Sequence, residues 1–328
     1  MKLAVIGCGL IGHKRAEAWL KLGHGIAAAF DLDFHKAEAL SARYGGKAVR
    51  SLEEALQSEA PVANVAVTHD RLAACAYEAL IAGKHLILEK PGARNLAELA
   101  PVAEEAAKRG LRVKVGYNHR FHPSLIKARE LCDAGALGPL HYVRGRYGHG
   151  GRPGYEKEWR MDPAVSGGGE LLDQGSHLID LASWFLGDFS EVSGRLPSYF
   201  WKAPVEDNAF MLLATEKGPC AMLHATWTEW KNMFSFEISG RDGKIAIDGL
   251  GGSYGTERLA FYRMLPAMGP PETTIWEYPF PDSSWELEAR ELVAAVEEGR
   301  EPLGGLAEAK AVLGVIDRLY ALKAGGKA

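Results

Sequence analysis

Over roughly the first 120 residues, short apolar runs alternate with longer segments whose apolar positions recur at helical spacing. The runs at 2–6, 26–30, 62–67, 85–88 and 112–115 predict buried strands, being rich in Leu, Val, Ile and Ala with little alternation. Between them, helices are predicted at 13–22, 70–82 and 95–109, the last two stopped by Gly83 and Gly110. Ser51-Leu52-Glu53-Glu54 is a capping box opening a short helix. Strands separated by helices of this length imply a doubly wound parallel sheet. Ligands bind such sheets at the carboxyl ends of the strands, where Gly7, Asp31, Thr68, Glu89, Lys90 and Asn118 fall.

Beyond His122-Pro123 the pattern changes. A helix is predicted at 123–133, a strand at 140–147, a Gly-rich loop at 148–155 and one long helix at 170–185. Strands then follow in series at 191–201, 208–215, 221–229, 235–239, 244–247, 258–264 and 274–278, before closing helices at 285–298 and 306–323. Turns such as Glu216-Lys217-Gly218 and Arg241-Asp242-Gly243 link several of them, which means hairpins and an antiparallel sheet. The expectation is an α/β domain over 1–121 and an α+β domain with a large, mostly antiparallel, open-faced sheet over 122–328. Alternation along 220–230 puts Ala221, Leu223, Ala225 and Trp227 on one face and Met222, His224, Thr226 and Thr228 on the other. That second, uncharged face predicts a homodimer or homotetramer contact.

Composition narrows the partners. With 328 residues, a formal net charge of -4 and a pI of about 6.3, nothing suggests nucleic acid or an anionic membrane. Cys8, Cys75, Cys132 and Cys220 lie far apart without a C-x-x-C pair, a pattern of a reducing, cytoplasmic protein. The N-terminal apolar run is interrupted at once by glycine, so no signal peptide is expected. No stretch reaches the length of a membrane span.

The turn after the first strand reads Gly7-Cys8-Gly9-Leu10-Ile11-Gly12. In a G-x-G-x-x-G turn the first glycine permits the bend and the second lets backbone amides approach a pyrophosphate. The third lets the helix lie close to the strand. Leu10 and Ile11 then supply amides at the helix start, which favours anions. Asp31, at the end of the second strand, stands where an acid holds the adenosine ribose hydroxyls of a dinucleotide. Leu32 and Asp33 follow, with no arginine for a 2′-phosphate, which favours NAD over NADP.

Together, Val5–Gly12, Ala82-Gly83-Lys84-His85, Glu89-Lys90-Pro91, Gly116-Tyr117-Asn118-His119-Arg120-Phe121, and Gly167-Gly168-Gly169 followed by Asp173-Gln174-Gly175-Ser176-His177 resemble the glucose–fructose oxidoreductase/inositol dehydrogenase (Gfo/Idh/MocA) family over nearly the whole chain. The resemblance implies a Rossmann domain followed by a substrate-binding and oligomerisation domain. It also implies an NAD(P)-dependent oxidoreductase acting on a secondary alcohol or ketone of a sugar, cyclitol or related polyol. Lys90, Asp173 and His177 map onto that family's catalytic set. The residues support the same roles: Asp173 and His177 are i and i+4, one helical turn apart, and histidine can cycle as a base near neutral pH. Lys90 can stabilise a developing alkoxide. Gly7, Gly9, Leu10, Ile11, Gly12, Asp31, Thr68, Glu89, Lys90 and Asn118 are the expected cofactor contacts; Arg120, Tyr155, Trp159 and Arg160 are candidate substrate contacts. Where relatives often carry an arginine doublet after the asparagine, this chain has His119-Arg120. His119 and His122 lack a carboxylate spaced as a third ligand, so no metal is expected. Relatives that cleave glycosides through transient oxidation, or that bind nicotinamide without turnover, define the alternative functions.

Overall fold

The structure, a computed structural model, describes residues 1–325. The N-terminal part forms strands β1 (Lys2–Ile6), β2 (Gly25–Phe30), β3 (Lys47–Ala48), β4 (Val62–Val65), β5 (His85–Leu88) and β6 (Val113–Val115). They make one sheet in the order β3-β2-β1-β4-β5-β6, every pairing parallel. The order reverses at β1, and the crevice there, at the strands' carboxyl ends, is where a doubly wound sheet takes its ligand. Helices α1 (Leu10–Lys21), α2 (Phe34–Tyr44), α3 (Leu52–Leu56), α4 (His69–Ile81) and α5 (Leu96–Arg109) supply the crossovers. Their ends follow from local chemistry. Ser51 Oγ accepts from the Glu54 amide at 3.1 Å to start α3, and Asn95 Oδ1 accepts from the Glu98 amide at 2.9 Å to start α5. Gly110, at φ 65°, closes α5 in the left-handed conformation that a residue with a Cβ disfavours.

The later part forms α6 (Pro123–Asp133), β7 (Leu140–Gly148), the short α7 (Pro163–Ser166), a π-helical segment (Leu171–Gly175) and α8 (Ser176–Leu186). Strands β8 (Glu191–Arg195), β9 (Asn208–Ala214), β10 (Cys220–Thr226), β11 (Met233–Gly240), β12 (Gly243–Asp248), β13 (Glu257–Arg263) and β14 (Glu272–Tyr278) follow. Their sheet has the order β14-β13-β12-β11-β7-β10-β9-β8, antiparallel throughout except where β10 lies parallel to β7. Ala221, Leu223 and Ala225 of β10 are buried on the face that α8 covers, and Trp227 just beyond is fully buried. On the opposite face Phe210, Leu212 and Met222 are 39%, 54% and 56% exposed, within a groove of about 730 Å³. That face carries charge after all: Arg144 and Arg146 of β7, Arg195 of β8 and Glu237 of β11 line the same groove.

Two sequence expectations differ from the structure. The run at 191–201 ends as a strand at Arg195. Pro197 follows, and the Asp207 carboxylate takes the amides of Tyr199, Phe200 and Trp201 at 2.8 to 2.9 Å, which replaces ladder partners with a side chain. The domain boundary also moves. The compact units are Met1–Asn118 with Trp285–Lys310, and His119–Ser284 with the chain from Ala311 onward. Helix α9 (Ser284–Glu298), expected in the second domain, therefore completes the first. Its Ala289, Leu292 and Val293 join the core built on Leu3, Val5, Trp19, Leu40 and Ile87. Burying a side chain such as Leu292 stabilises by about 1.5–3 kcal/mol, which is why an apolar stripe this late in the sequence returns to the first sheet. Helix α10 (Leu306–Ala324) begins in the first unit and ends in the second.

Candidate active site

In the first unit the glycine turn has the expected steric logic. Gly7 sits at φ 90°, and a Cβ there would lie 2.3 Å from the Ala66 carbonyl oxygen. A Cβ at Gly12 would lie 2.1 Å from the Gly7 carbonyl oxygen. Gly9, in contrast, is exposed, and a Cβ there would meet nothing within 4 Å. Gly9 is the N-cap of α1 and offers no side chain to the first-turn amides, and that turn holds no acidic residue. Open space before uncapped amides is the shape an anion needs. Leu10, 74% exposed, and the half-buried Ile11 flank it.

Asp31 is tied to this turn: Oδ2 accepts from the Cys8 amide at 2.8 Å and Oδ1 from the Asp33 amide at 2.9 Å. Burial, with Asp31 nearby, pushes the Cys8 thiol up to about 12, so it stays neutral beside the turn. Leu32 next to Asp31 is 90% exposed. Thr68, the N-cap of α4, turns its hydroxyl to Asp70 Oδ1 at 2.6 Å. Lys90 is half-buried just past β5, and Asn118 is buried past β6.

Glu89 is placed differently from the expectation. Arg15 of α1 donates to Glu89 Oε1 at 2.7 Å, and its other arm is ion-paired with Glu288 of α9. Lys114 of β6 donates to Glu288 Oε1 at 2.8 Å. Arg15, Lys114 and Glu288 are at most 1% exposed, so this is a dry network of two cations and two anions. Burial opposes charge on Glu288, yet Arg15 and Lys114 hold its carboxyl below the usual range. The Glu89 carboxylate thus belongs to an ion-pair network at the end of the sheet. Gly116 makes room: a Cβ there would meet Glu89 Oε2 at 2.8 Å and Arg15 Nη2 at 2.9 Å.

In the second unit His177 and Asp173 do not sit on one regular α-helix. Asp173 lies in the π-helical segment and His177 is the second residue of α8, so the i,i+4 geometry expected from the spacing is altered by a wider turn. Asp173 Oδ2 meets Arg160 Nε at 3.2 Å. The His177 ring stacks on His119, with centroids 3.8 Å apart and planes 21° from parallel, and both histidines are buried. Tyr147 of β7 stands edge-on to His119 at 5.1 Å. Its phenol is hydrogen-bonded to Tyr254, which accepts from Gln174 Nε2 at 3.0 Å. Burial holds both phenols above their usual range, helped at Tyr147 by Tyr254 and then Asp173 and Glu170, and at Tyr254 by Glu170 against the lowering effect of Tyr147. His149 is lowered by burial, against the pull of Asp173.

The candidate substrate contacts divide. Trp159 and Arg160 remain half-buried, with the guanidinium 4.7 Å from the Trp159 ring centroid. Tyr155 is 3% exposed and packs its ring against Trp201 and Trp227, each 5.4 Å away. Arg120 is 2% exposed and makes a two-pronged pair with Asp180 at 2.7 and 2.8 Å. A buried guanidinium pairs with an acid rather than remain alone. The sequence reading missed Arg15, Lys114, Glu288, Tyr147 and Tyr254. Lys114 between two valines in a buried strand, and Glu288 beside Ala289 and Leu292, were the visible signals of charges that had to be paired. Among the described residues no group of three or more His, Cys, Asp or Glu could hold a metal ion, and no helix is long and apolar enough to cross a membrane.

A doubly wound sheet with an open glycine cradle, followed by an open-faced mixed sheet, defines a dinucleotide-binding two-domain protein. Residues 1–117 match the family model described as oxidoreductase family, NAD-binding Rossmann fold, and residues 125–246 match the Gfo/Idh/MocA C-terminal domain. The chain belongs to the Gfo/Idh/MocA family. It is 31% identical to inositol 2-dehydrogenase 2 of Saccharopolyspora erythraea over 231 residues, 66% of this chain and 64% of that protein. It is 30% identical to levoglucosan dehydrogenase of Pseudarthrobacter phenanthrenivorans over 159 residues, 48% of this chain and 41% of that protein. The chain thus spans less than two thirds of the length of these relatives. A solved levoglucosan dehydrogenase in complex with NADH and levoglucosan shares the fold, with a TM-score of 0.89 at 21% identity over 99% of this chain and 97% of that one.

Proposed function

We propose that this protein is a dehydrogenase that moves a hydride between NAD and a secondary alcohol or ketone of a sugar, cyclitol or related polyol. The observation that carries this reading is the cradle at Gly9, open at the start of α1 and tied through Cys8 to Asp31. The chain also keeps the family's Lys90, Asp173 and His177. When bound, the nicotinamide supplies the hydride acceptor. The protein's own part is the proton: as C–H leaves as hydride, His177 takes the hydroxyl proton and the C–O bond becomes a carbonyl. Lys90, as the family resemblance implies, is suited to stabilise negative charge that develops on a substrate oxygen. Asp173, held by Arg160, fixes a neighbouring substrate hydroxyl, and Trp159 offers an apolar wall to the ring.

Asp31 with no neighbouring arginine favours NAD over NADP, because a 2′-phosphate would face a carboxylate. The exposed groove of Phe210, Leu212 and Met222 is the proposed contact between copies of the chain, its Arg144 and Glu237 being already ion-paired within the chain at 2.7 Å. The test is a panel of sugars, sugar acids, cyclitols and sugar nucleotides with NAD or NADP, read by absorbance of the reduced cofactor. Reduced NAD with one substrate class supports the reading. Glycoside cleavage without net NADH, or tight cofactor binding without turnover on any class, overturns it. Lys90→Ala and His177→Ala should each lower kcat by about 10²–10⁴ with NADH affinity retained.

A further inference from the structure

On the surface of the second unit one patch is built of aromatic rings. Tyr199, Phe200 and Trp230 are 70%, 55% and 63% exposed. Phe200 meets Trp230 nearly at right angles, with centroids 4.7 Å apart, and meets Trp201 at 5.1 Å. Trp201 in turn lies 5.4 Å from the buried Tyr155, so the rings run without a break from solvent into the core. Scattered exposed rings ask for no explanation, but rings in mutual contact at a surface mark a place where something binds.

Several local devices hold these rings in place. The buried Asp207 carboxylate takes the successive amides of Tyr199, Phe200 and Trp201, and Trp201 Nε1 donates to the Trp227 carbonyl at 3.0 Å. Trp230 sits at φ 56°, a left-handed conformation that strains a bulky residue. Gly150 and Gly151 clear the floor beneath: a Cβ at Gly150 would lie 3.0 Å from Trp230 Cα, and one at Gly151 2.6 Å from Trp201 Cζ2. In the same loop His149 Nδ1 accepts from the Gly151 amide at 2.9 Å, and burial lowers the pKa of the ring. The neutral imidazole then keeps its hydrogen on Nε2, a donor for a ligand oxygen. This loop adjoins the candidate substrate contacts. Arg152 stands over the Tyr155 ring at 5.9 Å and pairs with Glu158, Glu158 meets Arg160, and Arg160 meets Asp173.

We propose that Phe200, Trp201 and Trp230 form a subsite for the second ring of a glycoside, which makes this chain a dehydrogenase of glycosides and oligosaccharides rather than of free monosaccharides. This rests on the dehydrogenase reading and names its substrate class. A pyranose carries C–H bonds on its broad faces and hydroxyls at its rim. Flat rings suit the faces, while His149 Nε2 and the exposed Lys202 and Lys231 supply donors for the rim. The second ring is bound and not altered; its contacts hold the first ring at Arg160 and Asp173. A protein partner fits this patch less well. At their observed exposures the three outer rings offer roughly 300–450 Å². That is about half of the ~800 Å² that each side brings to a stable protein contact.

The experiment gives the full-length protein NAD and compares cellobiose, maltose and lactose with glucose and galactose, read by absorbance of NADH. The wild type should use at least one disaccharide with kcat/KM about tenfold above that of its free monosaccharides, the gain lying in KM. Trp230→Gly suits the left-handed backbone and removes the ring, and should cancel that ratio. Phe200→Ala, which leaves position 230 alone, should cancel it too and carries the test should the first variant fold poorly. Equal kcat/KM for disaccharides and monosaccharides in the wild type overturns the proposal, as does a preference that survives both substitutions. A changed molar mass by light scattering in either variant, with the sugar preference unmoved, also overturns it and makes the patch a contact between copies. Calorimetry of the same disaccharides with the NADH-bound protein reads the subsite without turnover. If no sugar yields NADH, the dehydrogenase reading fails and calorimetry alone decides. Disaccharide binding about tenfold weaker in both variants then supports the subsite, and absent or unchanged binding overturns it.

Discussion

Each unit of this protein buries a polar cluster, and the two clusters are built on opposite plans. In the first, Arg15, Lys114, Glu89 and Glu288 match two cations with two anions across α1, β5, β6 and α9. Each cation there lies against an anion, and Glu288 is shared by both cations. In the second, His119, His177, Tyr147, Tyr254 and Gln174 gather imidazoles, phenols and an amide in ring contact and one hydrogen bond. Permanent charges closed on one another suit a frame that has to hold strand ends still, while stacked imidazoles and hydrogen-bonded phenols suit a place where a proton comes and goes. The difference teaches that the first cluster depends on matched charges and the second on how flat rings pack.

The strongest way to break the comparison is to open the first cluster. Glu288→Ala leaves Arg15 and Lys114 buried without their shared anion and should cost about 3–5 kcal/mol, read as a fall in the urea midpoint. His177→Phe, which exchanges one flat ring for another against His119, should cost no more than about 1 kcal/mol. Equal losses would mean that the two clusters do the same structural work.

Acid sharpens the same contrast. The Glu288 carboxyl is held below its ordinary value in the folded chain by Arg15 and Lys114, against the opposing effect of burial. Its contribution is therefore fully present above the unfolded value of about 4.5 and is lost as pH falls through the lower folded value. Urea midpoints measured at decreasing pH should decline below that point in the wild type. They should decline less in Glu288→Gln, which keeps the shape and removes the titration. Identical slopes would place the acid sensitivity elsewhere.

How much of this was legible in the sequence depends on the range of the signal. Five of the six strands of the parallel sheet, the glycine turn, Asp31 after β2 and the antiparallel character of the later sheet follow from local periodicity and turn residues, and the structure has them; β3, two residues long, left no such signal. The return of α9 to the first unit was not legible, because an apolar stripe says that a helix packs but not on which core. Nor was the π-helical turn between Asp173 and His177, since helical periodicity does not separate four residues per turn from a wider step. Arg120 looked like a loop residue available to a substrate, and no local signal ties it to Asp180, 60 positions away. The one charge pattern that could have been caught is Lys114, a cation inside a strand too apolar to leave it alone.

The smallest effect separates frame from ligand within the glycine turn itself. Gly12→Ala places a methyl 2.1 Å from the Gly7 carbonyl oxygen, which neither backbone can yield cheaply. It should destabilise by about 1–3 kcal/mol, and any loss of NADH binding would follow from that distortion. Gly9→Ala meets nothing within 4 Å, and its φ of -79° is open to alanine. Its urea midpoint should stay within about 0.5 kcal/mol of wild type. The same methyl would stand in the space before the first-turn amides of α1, so NADH affinity by fluorescence titration should fall about tenfold, or 1.4 kcal/mol. If Gly9→Ala instead binds NADH as tightly as wild type, the diphosphate does not approach this amide, and the openness at Gly9 is only a property of the fold.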